Sequence, residues 1–565
     1  MDYFIKSILS LLKDNTNLQE DELEKLIEIP PSSKMGDYAF PCYSLSKILQ
    51  KPPNTVAEEL AVTIHPVSPI TEIRAVGSYV NFFVDKAIFA MLVMKRIHEE
   101  GDAYGRADTG RGKTVVVDYS SPNIAKHLAV HHLRSALIGS AICQIYKTLG
   151  YNCVGINHLG DWGTQFGQLI VAYKRWGDEN AGKSYTVTDL NNLYVRFHQE
   201  TEKNPALEDE ARDWFKRLEA NDPEAKGLWQ RFKDISLKEF QKIYDMLGIH
   251  FDACIGESFY NTMVEDTIRR IKEKGLATMS EDALIVDLEP YNMPPCLLRK
   301  KDDTTLYATR DIAAAEYRMK RYQFDKMVYV VGSEQKLHFK QVFKVLELMG
   351  YEWTNRCVHA DFGLMKFKDG KMSTRKGRVV LLEDLLHEAV ERVKKIIGEK
   401  NPSLENKDTV AKEVGIGAVI FADLSTRRNK DVIFDWEAVL NFEGETGPYV
   451  QYTHARLCSI LRKYDKPVAT EIDYELLKED ETFALIRNLS QFPSVILKAA
   501  AFYEPFLISG YLVDVCGSLN RFYNTHRVLS DNEELTKARI LLTDSTRQVI
   551  RNCLCILGMH HPERM

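Results

Sequence analysis

The chain has 565 residues, 45% of them hydrophobic and 27% charged, which is ordinary for a soluble globular protein with roughly three or four domains. Its net charge of −6 does not point to nucleic-acid binding, but it does not exclude it, because basic patches can be local. No apolar run approaches the about 18 residues of a membrane span, and the first residues lack a signal-peptide pattern.

The ten cysteines are scattered, and no CxxC pair recurs at the spacing of a zinc site. Buried or unpaired thiols in a reducing compartment are the simpler interpretation. We therefore expect a cytoplasmic protein without a tightly bound metal and without membrane contact.

Residues 1–110 are predicted to form a separate α+β module. Ile5, Leu9 and Leu12 repeat at helical spacing, and the segment 77–85, GSYVNFFVD, partly alternates as a strand does. The polar, glycine-rich segment 101–112 is the expected link to the next domain.

The stretch 115–139, VVVDYSSPNIAKHLAVHHLRSALIG, predicts a strand, a turn and a helix. The β-branched run 115–117 is typical of a buried strand, Pro122 cannot continue it, and helical spacing begins at about Ala129. In a parallel α/β sheet, ligands bind beside such a turn, and the helix N-terminus attracts phosphate. The polar and basic residues there are Asn123, Lys126, His127, His131 and His132. They favour a binding turn over an ordinary βα unit with polar surface residues.

A second short strand is predicted at 151–156, and it leads into the glycine-rich segment 158–167, HLGDWGTQFG. The glycines there would let the backbone approach a ligand closely. The charged, amphipathic residues that follow, at about 170–290, predict a helical insertion with a solvated face.

The α/β pattern is expected to resume with a strand at 295–300. Residues 306–315 then change from strand to helix, with Tyr307 and Asp311 on one helical face. The run 327–331 predicts a buried strand, and it ends in GSEQKLHFKQ.

The segment 368–380, KDGKMSTRKGRVV, places Lys371, Arg375 and Lys376 around Ser373 and Thr374. Mobile cations and hydroxyl donors between glycines suit a polyphosphate, and a basic surface loop is the alternative. We call this segment the phosphate loop.

From residue 383 the chain is predicted to be almost wholly helical, with a domain boundary at 441–451. Basic and aromatic residues near the C-terminus, such as Arg521, Tyr523 and Asn524, can bind RNA through phosphate contacts and base stacking.

Together these segments resemble the arginyl-tRNA synthetases, a family of class I aminoacyl-tRNA synthetases, over nearly the whole chain. The motifs that carry the resemblance are SSPNIAK at 120–126, HLRS at 132–135, HLGDWGTQFG at 158–167, YATRD at 307–311, KMSTRKG at 371–377 and EGETGPYVQYTHAR at 443–456. The terminal segments RFYNTHRV and PERM are also similar to that family.

The resemblance implies an α/β fold with a Rossmann-type parallel sheet, a helical insertion, an N-terminal α+β module and an all-α anticodon-binding domain. The implied regions are an N-terminal tRNA-binding domain at 1–110, a catalytic domain at 111–380 with its insertion at about 170–290, a helical connective region at 381–440 and the anticodon-binding domain at 441–565.

The implied reaction joins L-arginine to the 3′ end of arginine tRNA through arginyl-adenylate. ATP is a substrate that brings Mg²⁺, bound tRNA is needed for activation, and a monomer is expected. The implied arginine-binding residues are Asp118, Asn123, Tyr307, Asp311 and Gln335, and carboxylates suit a guanidinium because they accept it in a two-bond fork. The implied ATP-binding residues are His131, His132, Gly332, Lys371, Met372 and Ser373, with Lys126, His132, Lys371 and Ser373 in catalysis. The implied tRNA-binding residues are Tyr449, Arg456, Arg521, Tyr523 and Asn524.

The resembled family carries a His-x-Gly-His signature, which falls here on residues 129–132. Ala129 replaces its first histidine, His131 replaces its glycine, and His127 replaces the usual preceding proline. These changes leave a second function open: a paralogue that binds arginyl-tRNA with weakened ATP-dependent activation, acting as an arginyl transferase or regulator. A third, an arginine-binding module without RNA, conflicts with the retained terminal domains.

Overall fold

The structure is a computed structural model that describes residues 2–16, 18–30, 33–177, 184–300, 307–368 and 380–565. The chain divides into two compact units. The first comprises Met1–Tyr104, Arg456–Pro493 and Tyr511–Asn552, and the second comprises Gly105–Ala455, Ser494–Gly510 and Cys553–Met565. Among the described residues, no helix has the length and apolar character needed to cross a membrane. The ten cysteines, all within the described ranges, form no disulfide.

The N-terminal part of the first unit is a small α+β module. Its elements are α1 (Asp2–Asn15), α2 (Glu20–Leu26), β1 (Tyr38–Pro41), α3 (Tyr43–Leu49), α4 (Pro53–Thr63), β2 (Ile70–Val76), β3 (Tyr79–Val84) and α5 (Lys86–Glu100). The three strands form an antiparallel sheet in the order β1-β3-β2, and Asp85 caps α5 by accepting the N–H groups of Ala87 and Ile88. The helix predicted from Ile5, Leu9 and Leu12 and the strand predicted within 77–85 are confirmed.

The second unit alternates strands and helices. In chain order it contains β4 (Thr114–Asp118), α6 (Leu133–Thr148), β5 (Asn152–Asn157), α7 (Gln165–Trp176), α8 (Val187–Thr201), α9 (Ala206–Glu219), α10 (Pro223–Leu247), β6 (Ala253–Cys254), α11 (Glu257–Tyr260), α12 (Val264–Glu273), β7 (Ala277–Ser280), β8 (Ala283–Val286), β9 (Cys296–Arg299), α13 (Tyr307–Tyr322), β10 (Lys326–Tyr329), α14 (Lys336–Leu348), β11 (Cys357–His359), β12 (Met365–Phe367), α15 (Leu382–Lys400), α16 (Lys407–Leu424), β13 (Val432–Phe434) and α17 (Trp436–Val439).

Five of these strands form a parallel sheet in the order β11-β10-β4-β5-β6. The β-branched run of β4 lies at its centre, where Val116 pairs with Val154 on one side and Met327 on the other. Val116, Ile156, Met327 and Phe339 pack in one buried cluster. Because β5 and β10 lie on opposite sides of β4, the carboxyl end of β4 is a topological switch point, where α/β sheets bind ligands. The predicted fold class is confirmed.

The helix after β4 begins later than the predicted Ala129. Ala129 is extended, with φ −98° and ψ 166°, and forms an antiparallel bridge with Leu381. Val130–His132 form a 3-10 turn, and α6 starts only at Leu133. Pairing with a distant segment overrides the local helical spacing at Ala129.

The strand predicted at 295–300 is present as β9, but it does not belong to the parallel sheet. It pairs with β8 in a three-stranded antiparallel sheet of order β7-β8-β9, which packs beside α12, α13 and α14. The predicted insertion at about 170–290 is not wholly helical, because after α10 the strand β6 rejoins the parallel sheet beside β5, and β7 and β8 follow α11 and α12.

Residues 441–565 are helical, as predicted. They form α18 (Gly447–Tyr464), α19 (Asp480–Ser490), α20 (Phe492–Phe502), α21 (Phe506–Thr525) and α22 (Glu533–Ile556).

Candidate active site

A cavity of about 330 Å³ opens at the carboxyl ends of β4, β5 and β10, and we call it the sheet-edge cavity. Its lining residues are Asp118, Ser121, Asn123, His158, Gly160, Glu257, Tyr307, Arg310, Asp311, Tyr329, Val331, Gln335, His338 and Phe339. The structure thus brings together, around one cavity, all five residues that the sequence predicts for arginine binding.

Asp118, the last residue of β4, is a buried carboxylate with internal partners. Its Oδ2 lies 2.7 Å from a guanidinium nitrogen of the buried Arg318, and its Oδ1 accepts the Ser121 hydroxyl at 3.0 Å. Arg318 also lies 3.3 Å from Nδ1 of His158. Both oxygens of Asp118 are therefore engaged by the protein itself, which fixes the carboxylate at the cavity wall.

Asp311 and Tyr307 lie one turn apart on α13, as the predicted shared face requires. Nε2 of His338 lies 2.5 Å from Oδ2 of Asp311. Burial disfavours the charged form of Asp311, but the hydrogen bond to His338 and the charges of His338, His158 and Arg318 together outweigh it and lower the pKa of the carboxyl. Tyr307 is 62% exposed at the mouth of the cavity.

Sequence reasoning missed Glu257, which contributes a third carboxylate to the sheet-edge cavity. Glu257 begins the short helix α11, inside the region interpreted as a solvated insertion, and its side chain is only 12% exposed. Burial raises its pKa to about 7, although the guanidinium of Arg310, 3.3 Å away, opposes that shift. The one available signal was its position directly after a short strand, where α/β sheets place functional side chains.

Gly160 of the HLGDWG segment provides close packing against Asn123. A Cβ at Gly160 would lie 1.8 Å from Oδ1 of Asn123. The Gly160 N–H donates to the Pro122 carbonyl, and the Gly160 carbonyl accepts the Ile124 N–H. The glycine thus lets its loop hold Asn123 at the cavity.

The turn between β4 and α6 holds three non-glycine residues with left-handed backbone. Ser120, Ser121 and Ala125 have φ values of 71°, 50° and 61°. The Ser135 hydroxyl of α6 accepts the Ser120 N–H at 2.9 Å, and the Ser236 hydroxyl of α10 accepts the Ala125 N–H at 2.8 Å. Two helices therefore hold this turn in a conformation that its residues rarely adopt.

The segment Lys126–His132, here called the histidine turn, fixes His132 in one tautomer. Nδ1 of His132 lies 3.0 Å from the Ala129 nitrogen and 3.3 Å from the Ala129 carbonyl oxygen, and since an amide N–H can only donate, the shorter contact assigns Nδ1 as the acceptor. The ring proton is then on Nε2. Burial lowers the pKa of His132 to about 4, so the ring is a neutral donor at physiological pH. The His131 ring lies 3.9 Å from it, centroid to centroid.

The other basic residues of the histidine turn contact the helical insertion. His127 bonds to Glu239 of α10 at 2.6 Å and to the Thr188 hydroxyl at 3.1 Å. The Glu239 hydrogen bond raises the pKa of His127. The Lys126 ammonium lies 5.7 Å from the Tyr194 ring centre. Because both ring nitrogens of His127 are engaged by the insertion, this residue does not take the place of the signature histidine that Ala129 replaces.

Lys371, Met372 and Ser373 of the phosphate loop lie outside the described residues. On the C-terminal side of that loop, the Val380 carbonyl accepts the Val130 N–H, and the Leu128 carbonyl accepts the Leu382 N–H. The chain that leaves the phosphate loop is thus tied to the histidine turn. Gly332, after β10, forms a parallel bridge with Phe362. Within the described ranges, no group of three or more His, Cys, Asp or Glu side chains could hold a metal ion.

Arg134 of the HLRS motif is an anchor that sequence reasoning missed. Its side chain is fully buried and pairs with Asp423 of α16 at 2.7 Å. It also donates to the carbonyls of Gly363 and Lys430, which flank β12 and β13. Arg134 therefore joins the start of α6 to the strand that precedes the phosphate loop.

Four of the five residues predicted to bind tRNA lie in the first unit, and Tyr449 lies in the second. The Arg456 guanidinium sits 4.6 Å from the ring centre of Tyr523. The Tyr523 hydroxyl is buried without a hydrogen-bond partner among the described residues, whereas Arg521 and Asn524 are exposed on α21. Arg456 and Tyr523 thus form a stacked pair.

Three family profiles match consecutive parts of the chain. The profile of the arginyl tRNA synthetase N terminal domain matches residues 3–84, that of tRNA synthetases class I (R), catalytic domain, matches 94–436, and that of the DALR anticodon binding domain matches 450–565.

Relatives match from end to end. An arginine–tRNA ligase of Clostridium botulinum (strain Alaska E43 / Type E3) is 52% identical over 566 residues, with 100% of both chains covered. The solved structure of Thermus thermophilus arginyl-tRNA synthetase matches with a TM-score of 0.82 at 27% identity, covering 95% of this chain and 96% of that one. Arginyl-tRNA synthetase from Plasmodium falciparum matches with a TM-score of 0.82 at 25% identity, covering 100% and 99%. With a catalytic-domain profile over more than half of its length and a full-length relative at 52% identity, this chain belongs to the arginyl-tRNA synthetase family of class I.

Proposed function

We propose that this protein is an arginine–tRNA ligase, which activates L-arginine with ATP and transfers it to the 3′ end of arginine tRNA. The observation that carries the proposal is the sheet-edge cavity, where the five predicted arginine-binding residues and Glu257 converge at the switch point of the parallel sheet. Family membership supports the reaction, and the chemistry of the cavity supports the amino acid.

The cavity suits arginine because three carboxylates line it, on Asp118, Glu257 and Asp311. Arg318 and Ser121 engage both oxygens of Asp118, whereas the ion pairs with Arg310 and His338 engage one oxygen each of Glu257 and Asp311, so we propose that these two carboxylates receive the guanidinium. Tyr307 and Gln335 lie at the same cavity and close around the substrate in this proposal. Lysine lacks the planar fork and citrulline lacks the charge, so a site with these buried carboxylates rejects both.

ATP is proposed to bind beside the histidine turn. The neutral His132 donates from Nε2 to a phosphate, with His131 and Gly332 next to the nucleotide. Lys371, Met372 and Ser373 of the phosphate loop and Lys126 complete the proposed set. Mg²⁺ enters with ATP and neutralises phosphate charge. Catalysis consists of positioning the reactants and of stabilising charge on the phosphates.

The transfer step needs tRNA, and we propose that the regions 1–110 and 441–565 bind it, while 111–380 is the catalytic region and 381–440 the connective region. The proposed tRNA contacts are Tyr449, Arg456, Arg521, Tyr523 and Asn524.

We also propose that the protein is a monomer in the cytoplasm. Light scattering during gel filtration tests the monomer, and cell fractionation tests the location.

Arginine-dependent ATP–pyrophosphate exchange by the purified protein, with arginine tRNA present, tests the function. We expect exchange with arginine and none with lysine or citrulline. Absence of exchange with arginine and folded tRNA would refute the ligase. A paralogue that only binds arginyl-tRNA would bind it tightly without exchange, and none of the observations above favours that alternative.

A further inference from the structure

The segment that carries Glu257 continues the pairing between β5 and β6. Ile156 and Asn157 pair with Ala253 and Cys254 in those strands. Beyond them, the Ile255 N–H donates to the Asn157 carbonyl and the Glu257 N–H donates to the Leu159 carbonyl, both at 3.0 Å. The backbone of Glu257 is therefore attached to the loop that contains Asp161.

Asp161 is fully buried and its carboxylate is saturated with hydrogen bonds. Its Oδ1 accepts the Ser258 N–H at 2.8 Å, and its Oδ2 accepts the Ser258 hydroxyl and the Lys233 ammonium, each at 2.8 Å. The Asp161 carbonyl accepts the Trp229 indole N–H at 2.8 Å. A buried carboxylate is tolerated only with such partners, so these contacts specify one arrangement of the segment.

Gly256 shows how closely that segment lies against Asp161. A Cβ at Gly256 would lie 2.2 Å from Oδ2 of Asp161, a separation that no side chain can adopt. The carboxylate thus holds residues on both sides of Glu257, by contact at Gly256 and by hydrogen bonds at Ser258.

Asp161 and Lys233 do not line the sheet-edge cavity, whereas Glu257 does. Neither contacts a ligand there directly, so they act on it through the residues that they hold and through the Asp161 charge, which adds to the raised pKa of Glu257. Lys233 belongs to α10 of the insertion, so the ion pair also joins the insertion to the segment that carries Glu257.

We propose that Asp161 is a positioning residue for arginine recognition: with Lys233 it holds Gly256 and Ser258 so that the Glu257 carboxylate faces the substrate. This inference rests on the proposed arginine–tRNA ligase function. Asp161 touches no substrate, and its effect on arginine affinity passes through Glu257.

A double-mutant cycle on L-arginine affinity tests this proposal. Calorimetric titration of L-arginine into the full-length protein, with tRNA bound, compares Asp161→Asn, Glu257→Gln and the double variant. Asp161→Asn should weaken arginine binding about tenfold or more, but by less than about threefold in the Glu257→Gln background, because residues that act as a unit are not additive. The KM for ATP, measured in exchange, should stay within about twofold.

Three further variants separate loss of position from loss of folding or charge. Ser258→Ala keeps the buried ion pair and removes one hydrogen bond, so it should weaken arginine binding in the same selective way, though less. Asp161→Asn with Lys233→Met removes both charges and leaves no unpaired ammonium. Asp161→Glu keeps the charge but moves the carboxylate. If position rather than charge matters, this variant should not regain the arginine affinity that Asp161→Asn loses.

Equal losses from Asp161→Asn in the two backgrounds would overturn the inference, as would equal losses in arginine and ATP affinity. If the wild type catalyses exchange but Asp161→Asn and Ser258→Ala leave arginine binding unchanged, the inference is overturned and the proposed function stands. A wild-type protein that binds no L-arginine would overturn both the inference and the proposed function.

Discussion

The sheet-edge cavity and the histidine turn both follow the carboxyl end of β4, yet they hold their polar groups differently. In the cavity, carboxylates pair with cations from distant segments, as Asp118 does with Arg318 and Glu257 with Arg310. In the histidine turn, the His132 ring is fixed by the backbone N–H of Ala129 and is neutral. Function in the cavity should therefore depend on charge, and function in the turn should depend on which ring nitrogen carries the proton.

The largest expected effect is on the cavity. Asp311→Asn removes the charged acceptor for the guanidinium and leaves His338 without its carboxylate partner. Losing one member of a buried charge pair costs about 2–5 kcal/mol, roughly 30-fold to several thousand-fold in kcat/KM for arginine. Steady-state exchange at varied arginine and ATP concentrations measures the loss in kcat/KM for arginine, and the KM for ATP should change little.

A matched control is Glu347→Gln on α14, which makes the same chemical change on an exposed carboxylate paired with Lys344. It should leave both KM values unchanged. Similar losses in the two variants would contradict the dependence of the cavity on the Asp311 charge.

The next effect separates the two ring nitrogens of His132. His132→Asn can still accept the Ala129 N–H but has no donor where Nε2 lies, and His132→Gln has the reverse properties. Loss of one preorganised donor costs about 10²–10³ in rate, so the Asn variant should lose that much exchange and the Gln variant less. Exchange rates of the two variants at saturating ATP test this difference. Equal losses would mean that the ring caps the turn and does not assist the reaction.

A smaller effect is the pH dependence of arginine binding. Burial raises the pKa of Glu257 to about 7, so its carboxylate ionises mainly between pH 6 and pH 8. If the charged form binds the guanidinium, the KM for arginine should fall about tenfold over that range, because the ionised fraction rises from roughly a tenth to nine tenths. The Glu257→Gln variant should show a flat profile, and an unchanged wild-type slope in that variant would assign the titration elsewhere.

The smallest effect concerns the link between the histidine turn and the insertion. The Glu239 hydrogen bond raises the pKa of His127 in the folded protein, so its stabilisation is complete below the unfolded pKa and is lost as pH rises through the folded one. Glu239→Gln should therefore lower the free energy of unfolding by about 1 kcal/mol at pH 6 and by less at pH 8. Urea unfolding at the two pH values measures it. A difference that grows with pH would show that the pair is not an ion pair.

The sequence predicts those parts of the fold whose pattern is local. Three strands can be read from short apolar runs: β4, β5 and β10. Strands of a parallel sheet bury side chains on both faces, which gives such runs. Tyr307 and Asp311 are predictable as a pair because helical spacing alone places them on one face. Their role, like those of Asn123 and Gln335, comes from the family resemblance and not from periodicity.

The parts that could not be predicted depend on partners far along the chain. Ala129 is extended because it pairs with Leu381, and β9 pairs with β8 rather than with the parallel sheet. Glu257 lies within the region 170–290, whose charged helices predict a solvated insertion, and only the pairing beyond β6 turns it toward the cavity. No local pattern contains that information.

The left-handed residues of the turn after β4 have a consequence for local opening. Ser120 and Ala125 each adopt a conformation that costs about 1–2 kcal/mol for a residue with a side chain. Their backbone N–H groups donate hydrogen bonds to serine hydroxyls of α6 and α10. These two amides can exchange with deuterium only when a helix withdraws its hydroxyl or the turn relaxes as a whole. In a hydrogen-exchange experiment they should be protected as long as the amides at the centres of those helices, although both lie in a loop.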